Sequence, residues 1–393
     1  MIIPWNVTST HYLVRLLRTA ARAASLAIFI AALEVWSVGC HRRPPPPVSY
    51  TAFVVNNQSA TLAAVDLASF RVTDSLPTAP RPERVLVRPE GHELYVVSAA
   101  GKITVVTYPH PRVTATIDVG RSAGDLAFSP DGHTAYVLDP ADREMVSLDC
   151  ASRKAAYRVP LRDTPSALAL TPDGQTLVVA IASLHQLVFL NAQTGKLLGI
   201  VEVGQSPGRM VILPDSSKVL VVDTGEEKIS AADIAGRRLL SHIEIGARPT
   251  AILLKPDGGE IFVLSAQTSS MVIMDAFHDN VEQTFPIGRD PVTGVFRRDS
   301  SILFIANAGD GSVTALDVDN RVVLASTHVG MEPRALALTP DERFLVVADS
   351  AASSLAVLHA DPVSLSGNRS VLITTIAVGG RPVDVVVPDL PGK

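Results

Sequence analysis

Six arginines recur in one kind of loop: Arg81, Arg121, Arg162, Arg248, Arg289 and Arg381 each stand one to three residues before an apolar run of the chain. The guanidinium group offers a planar fork of donors that fits carboxylate and phosphate oxygens. If the fold gathers these loops at one rim, they form an anion-accepting mouth on a protein whose net charge is −5, and such a mouth focuses an anionic ligand. The alternative is that they are solubilising turn residues, neutralised by neighbours such as Asp163, Asp290 and Glu332.

Other chemistry is weakly signalled. There is no GxSxG nucleophile elbow, no HExxH and no Walker sequence. Gly309-Asp310-Gly311 has no helix after it to form a phosphate cradle. Asp317-Val318-Asp319-Asn320 comes nearest to a calcium loop, but such loops need alternating oxygen ligands around a tight glycine turn. Glu226-Glu227 reads as a solvated loop end. The ten histidines show no ligand spacing; His92 and His133 fall just after turns, and CxxCH is absent, which excludes covalently attached c-type haem. Two cysteines, Cys40 and Cys150, are too few for a disulfide framework or a cysteine zinc site. No metal and no cofactor is expected. A clustered cationic face for nucleic acid is likewise missing.

The first forty residues differ from the rest. Arg15, Arg18 and Arg22 precede an apolar run over residues 23–33, followed by Ser37-Val38-Gly39-Cys40. A positive segment, a short apolar segment and small residues before a cut describe an export signal. The ending in Gly-Cys resembles a bacterial lipoprotein signal, which implies that Cys40 carries lipid and becomes the new N-terminus. Glu34 and the Ser at position 37 depart from that pattern. The apolar run is shorter than a membrane-spanning helix needs. Residues 1–39 are therefore expected to be a signal peptide, and residues 40–50 a lipidated cysteine plus a tether stiffened by Pro44-Pro45-Pro46-Pro47. Both tryptophans, Trp5 and Trp36, lie before Cys40. Losing Arg15, Arg18, Arg22 and Glu34 from 34 basic and 39 acidic residues leaves the exported part near −7.

What must position the arginines is a repeat. Turn sequences recur at Pro89, Pro130, Pro172, Pro214, Pro256, Arg298 and Pro340, spaced by 41 residues once and then by 42 five times. Pro388 follows after 48, the excess fitting an inserted loop at residues 361–368. A second column of prolines (Pro82, Pro165, Pro207, Pro249, Pro291, Pro333 and Pro382, with Ala123 the exception) precedes each inner run. Two columns of small polar residues complete the pattern. One comprises Asn56, Ser98, Asp139, Asp223, Ser265, Asn307 and Asp349, broken by Ile181; the other runs through Asp66, Asp149, Asn191, Asp233, Asp275 and Asp317. Pro-Asp-Gly is turn chemistry, so these acids are read first as turn-formers. Each unit holds four short runs rich in Val, Ile and Leu, the size of a β-propeller blade.

Seven complete units occupy the middle of the chain. Residues 52–78 supply three strands of another, and residues 382–387 supply only a first strand. The expected fold is therefore all-β: a single propeller over residues 51–390, with eight blades of four antiparallel strands, the two chain ends sharing one blade. Sharing the blade closes the ring and removes an open edge. Seven blades is the alternative if one unit is irregular.

The pattern is similar to the YVTN-type β-propeller repeat family, through Val119-Gly120, Ser129-Pro130-Asp131-Gly132 with Tyr136-Val137, and Phe304-Ile305-Ala306-Asn307 with Val313-Thr314-Ala315-Leu316-Asp317. The tetrapeptide that names the family is degraded throughout. The resemblance implies the fold and an exported location, on the periplasmic side or at the cell surface, but says little about activity. Family relatives include haem-binding propellers of nitrite reductases and lactonase-like propellers. The function expected from sequence is a monomeric cell-envelope lipoprotein, held to a membrane through its lipid, that binds a protein or anionic small molecule at one propeller face without catalysis. A lactonase-like or lyase-like enzyme and a haem-handling or redox accessory are the alternatives.

Overall fold

A computed structural model describes residues 50–361 and 371–389. The signal segment, Cys40, the proline tether and most of the 361–368 loop lie outside these residues. Thirty-two strands form eight separate four-stranded antiparallel sheets. Blades are numbered here from the first complete unit. Blade 1 runs from Pro82–Val87 to Arg112–Asp118, and blade 7 ends with Leu372–Ala377. Blade 8 is built from both chain ends: Thr51–Asn56, Thr61–Asp66 and Arg71–Pro77 join Pro382–Val386. The closing pairing sets Phe53 opposite Val386 and Val54 opposite Val385. Eight blades and closure by the shared blade are thus as expected.

The strand types follow from where each lies. The two middle strands of a blade are covered on both faces by neighbouring blades and are apolar on both. In blade 2, Thr134–Asp139 and Glu144–Asp149 are buried along nearly their whole length. Outer strands alternate; Arg112–Asp118 turns Val113, Ala115 and Ile117 inward and charged or hydroxyl residues outward. Side chains from adjacent blades interlock as shared cores, for example Tyr95, Ile103 and Val105 of blade 1 with Leu126, Val137 and Val146 of blade 2.

The polar columns are turn-formers, as read from sequence. Asp131 accepts from the His133 amide and the Ser129 hydroxyl, and these bonds hold its carboxyl below the usual value. Asp149, Asp233 and Asp317 each accept the amide three residues on. The buried column at the end of each second strand does more. In blades 2 and 7, Asp139 accepts from the amides of Arg121 and Ser122, and Asp349 from those of Met331 and Glu332, pinning the loop that enters the inner strand of each. That loop carries glycine because its backbone lies on the pinning side chain: a Cβ on Gly120 or Gly330 would overlap Asp139 or Asp349. Where Ile181 breaks the column, the following turn is a short 3₁₀ segment, Ala182–Leu184. It is the one helical segment among the described residues.

A further contact recurs between blades. The first residue of the second strand meets a turn residue of the next blade: Glu93 with Arg153 at 3.0 Å, Lys218 with Asp279 at 2.8 Å, and Glu260 with Arg321. Between blades 7 and 8 the same place is taken by Phe344 and Phe70, edge to face at 6.2 Å.

Candidate functional site

Five of the eight inner strands begin with proline, and directly after it the ladder slips. Register shifts fall between Pro82 and Arg84, Pro207 and Met210, Pro291 and Thr293, Pro333 and Ala335, and beside Pro382. Proline fixes its own φ and donates no ladder bond, and the extra residue forms a β-bulge, a device that re-aims side chains. Here it directs charged residues toward the axis of the ring.

All eight blades contribute to a central cavity of about 610 Å³. Its wall carries Arg84, Arg209 and Arg334 together with Glu83, Asp125 and Asp384, above apolar residues such as Leu126, Leu168, Met210 and Leu336. Arg84 is ion-paired with Asp125, and Arg334 with Glu332. Two of the three channel carboxylates also tie blades together: Asp125 accepts from the Leu168 amide at 3.0 Å, and Asp384 from the Val85 amide at 2.9 Å. Burial pushes the Asp384 carboxyl above its usual range, against the pull of the Val85 amide and of Arg84 and Arg209. The same burial lowers Arg84, offset by Asp384 and reinforced by the like charge of Arg209.

A mouth cavity of about 540 Å³ shares Arg209, Arg334 and Val383 with the central one and adds Asp290, Ser350 and Arg381. Three guanidinium groups from blades 4, 7 and 8 therefore line one opening, with Asp290 its one lining carboxylate. Arg209 and Arg381 form no ion pair among the described residues. A third opening, a rim groove, lies between blades 8 and 1.

The six arginines singled out in the sequence divide into three groups. Arg381 lines the mouth, and with Arg81 it lines the rim groove. Arg121 and Arg289 are instead bound to the turn of their own blade, Arg121 to Asp142 and Arg289 to Asp310 at 2.5 Å, both largely solvent-exposed. Arg162 and Arg248 are exposed and line none of the three cavities. The acids expected to neutralise them are used otherwise: Asp163 pairs with Arg143, Glu332 with Arg334, and Asp290 lies in the mouth. Sequence reasoning misses Arg84, Arg209 and Arg334, because they interrupt runs that read as apolar strands. The signal was available as a charge one or two residues after the proline column.

Two further arrangements bear on chemistry. None of the three cavities is lined by histidine. In blade 4, Ser230 Oγ donates to Asp223 Oδ2 at 2.7 Å and lies 2.9 Å from His242 Nδ1. These are the residue types of a hydrolase triad in the wrong order, with the hydroxyl in the middle. Ser230 is fully buried and accepts the Gly204 amide at 3.0 Å, so it pins a loop and does not face a substrate. Asp223 Oδ1 has no partner, and burial pushes this carboxyl up to about 7, against the Ser230 bond.

No family model matches the chain, and no curated protein is similar to it by sequence. Solved structures share its architecture. The dihydro-heme d1 dehydrogenase NirN in complex with DHE superposes with a TM-score of 0.73 at 16% identity, over 88% of this chain and 76% of that one. Apo AztD from Citrobacter koseri gives 0.68 at 12% identity, over 88% and 99%. Kuenenia stuttgartiensis hydrazine synthase gives 0.59 at 18% identity, over 71% and 96%. At these identities the likeness establishes the β-propeller fold.

Proposed function

We propose that the protein is a lipid-anchored, cell-envelope propeller that binds a small anionic ligand at the mouth of its central channel and performs no chemistry on it. The observation that carries this reading is the convergence of Arg209, Arg334 and Arg381 on one opening. They come from three different blades, and among the described residues Arg209 and Arg381 form no ion pair. Fixed cations beside a narrow channel keep a positive local potential, even in a body that is acidic overall. The exported, lipidated state rests on the sequence ending in Cys40 and on the YVTN-type resemblance.

The test is calorimetric titration of the propeller with orthophosphate and with acetate, for the parent protein and for Arg209→Gln. Arg209 is exposed, so its replacement leaves the melting temperature unchanged. Affinity is expected to fall about tenfold in the variant. In the parent it is expected to weaken as salt rises, since exposed charges are screened over about 8–10 Å at physiological ionic strength. Equal binding by parent and variant rejects the mouth as the site.

A further inference from the structure

Arg381 belongs to two openings at once. On one side it lines the mouth with Arg209 and Arg334; on the other it lines the rim groove, about 540 Å³, with Arg81, Asn57, Gln58, Ala60 and Pro80. The groove walls hold two guanidinium groups and no carboxylate. Its shape is set by the seam of the ring. Asn57 and Gln58 amides donate to the Arg381 and Gly380 carbonyls at 2.9 and 3.1 Å, the Asn57 side chain donates to the Pro82 carbonyl at 2.9 Å, and the Gly380 amide donates to Ser59 Oγ at 2.7 Å. Arg81 is braced by the Ala99 carbonyl at 3.1 Å. Both arginines hold left-handed backbone, φ 56° and 55°, a conformation uncommon outside glycine, Asn and Asp. Of the other rim cations, Arg121 is spent on Asp142 and Arg289 on Asp310, while Arg162 and Arg248 stand exposed and line none of the cavities. Among the described residues the groove cations are not spent on acids.

We infer that the ligand of the mouth is an extended molecule with at least two anionic groups, one held by Arg209, Arg334 and Arg381 and the next by Arg381, Arg81 and the Gln58 side-chain amide. This deepens the proposed function and rests on it. Joining two anionic groups makes the second contact intramolecular, at an effective concentration of about millimolar for a short linker, so a second weak site adds affinity well beyond its own. The shared chemistry is that of an oligophosphate or a dicarboxylate, and the two are separated by experiment.

The experiment compares singly and multiply charged probes by calorimetry: orthophosphate against tripolyphosphate, and acetate against glutarate. The parent protein is expected to bind the longer member of one pair about tenfold or more tighter than the shorter, and the pair that shows this ratio identifies the chemistry. Arg81→Gln removes the groove cation. Gln58→Glu places a carboxylate in the groove while leaving Arg81 in place. Both are surface changes with unchanged melting expected, and both should bring the ratio down to about twofold while leaving the shorter probe unaffected. A ratio in the parent below about twofold for both pairs overturns the inference, as does a ratio that survives both substitutions. In either case, loss of orthophosphate or acetate binding in Arg209→Gln would still uphold the mouth reading; binding unaffected by Arg209→Gln removes that reading and this one together.

Discussion

Asp223 should make the protein less stable as pH rises through neutrality, the reverse of what most carboxylates do. Its counterparts Asp139 and Asp349 each collect several backbone amides; Asp223 collects one hydroxyl and leaves Oδ1 unpartnered in a fully buried position. Burial therefore wins, and the carboxyl titrates at about 7, against 3.8 for a free side chain. Below about pH 4 both folded and unfolded chains hold the proton, and Asp223 costs nothing. Between about pH 4 and 7 the unfolded chain gives the proton up while the folded chain keeps it, so stability falls with each unit of pH. Above about 7 the full cost of a buried charge is present. Three units at about 1.4 kcal/mol each set an upper bound near 4 kcal/mol; water penetration and relaxation bring the expected loss to about 2 kcal/mol. For a domain of this length that is about 3 °C in melting temperature. The assay is thermal melting at pH 5 and pH 8 for the parent and for Asp223→Asn, which keeps an acceptor for Ser230 without a titrating group. About two of the three units lie within that interval, so the parent should lose about 2 °C more than the variant. Carboxylates held below their usual value, such as Asp131, Asp163 and Asp310, lose their contribution only at more acid pH and do not enter the window. A pH response identical in parent and variant would refute the reasoning.

Two other outcomes are expected. Deleting residues 380–393 removes Pro382–Val386, the strand that completes blade 8, along with buried Val385 and the Asp384 bond to blade 1; at about 1.5–3 kcal/mol per buried aliphatic side chain, denaturant melts should show a global loss of several kcal/mol, and an unchanged midpoint would mean the closing strand is dispensable. Cys40→Ser should release the propeller from membranes or leave an unprocessed precursor, and because both tryptophans precede Cys40, the mature protein should emit as tyrosine alone; indole emission from membrane-extracted protein would show that the leader is retained.

The ring was legible because its turns are chemically demanding. A Pro-Asp-Gly turn, a pinning Asp or Asn and a proline at each inner strand leave few substitutes, so their spacing survives where the core residues vary freely among Val, Ile, Leu and Ala. The closing blade could be read from simple incompleteness at both ends of the chain. The candidate site was only half legible. Arg381 was visible as a rim residue, but nothing in its loop distinguishes it from Arg248, which faces solvent. Arg84, Arg209 and Arg334 were hidden by a reasonable assumption, that an inner strand is a buried strand. A propeller's inner strand has one face on a channel, where charge is tolerated, and the bulge after the proline decides which side chain turns there.

The contacts between blades carry a different consequence. Chains of near-identical units can close on themselves with a unit skipped or added, and the backbone alone does little to forbid it. Here three junctions are matched by sign. Lys218 of blade 4 faces Asp279 of blade 5, whereas Glu260 of blade 5 faces Arg321 of blade 6. Were blade 5 lost, Lys218 would meet Arg321, two cations at a position that is partly buried on both sides. Were blade 7 to abut blade 2, Phe344 would meet a guanidinium in place of a ring. At four of the eight junctions the neighbour is thus selected at one recurring position, and losing a blade beside such a junction would set unlike partners, or two like charges, against each other.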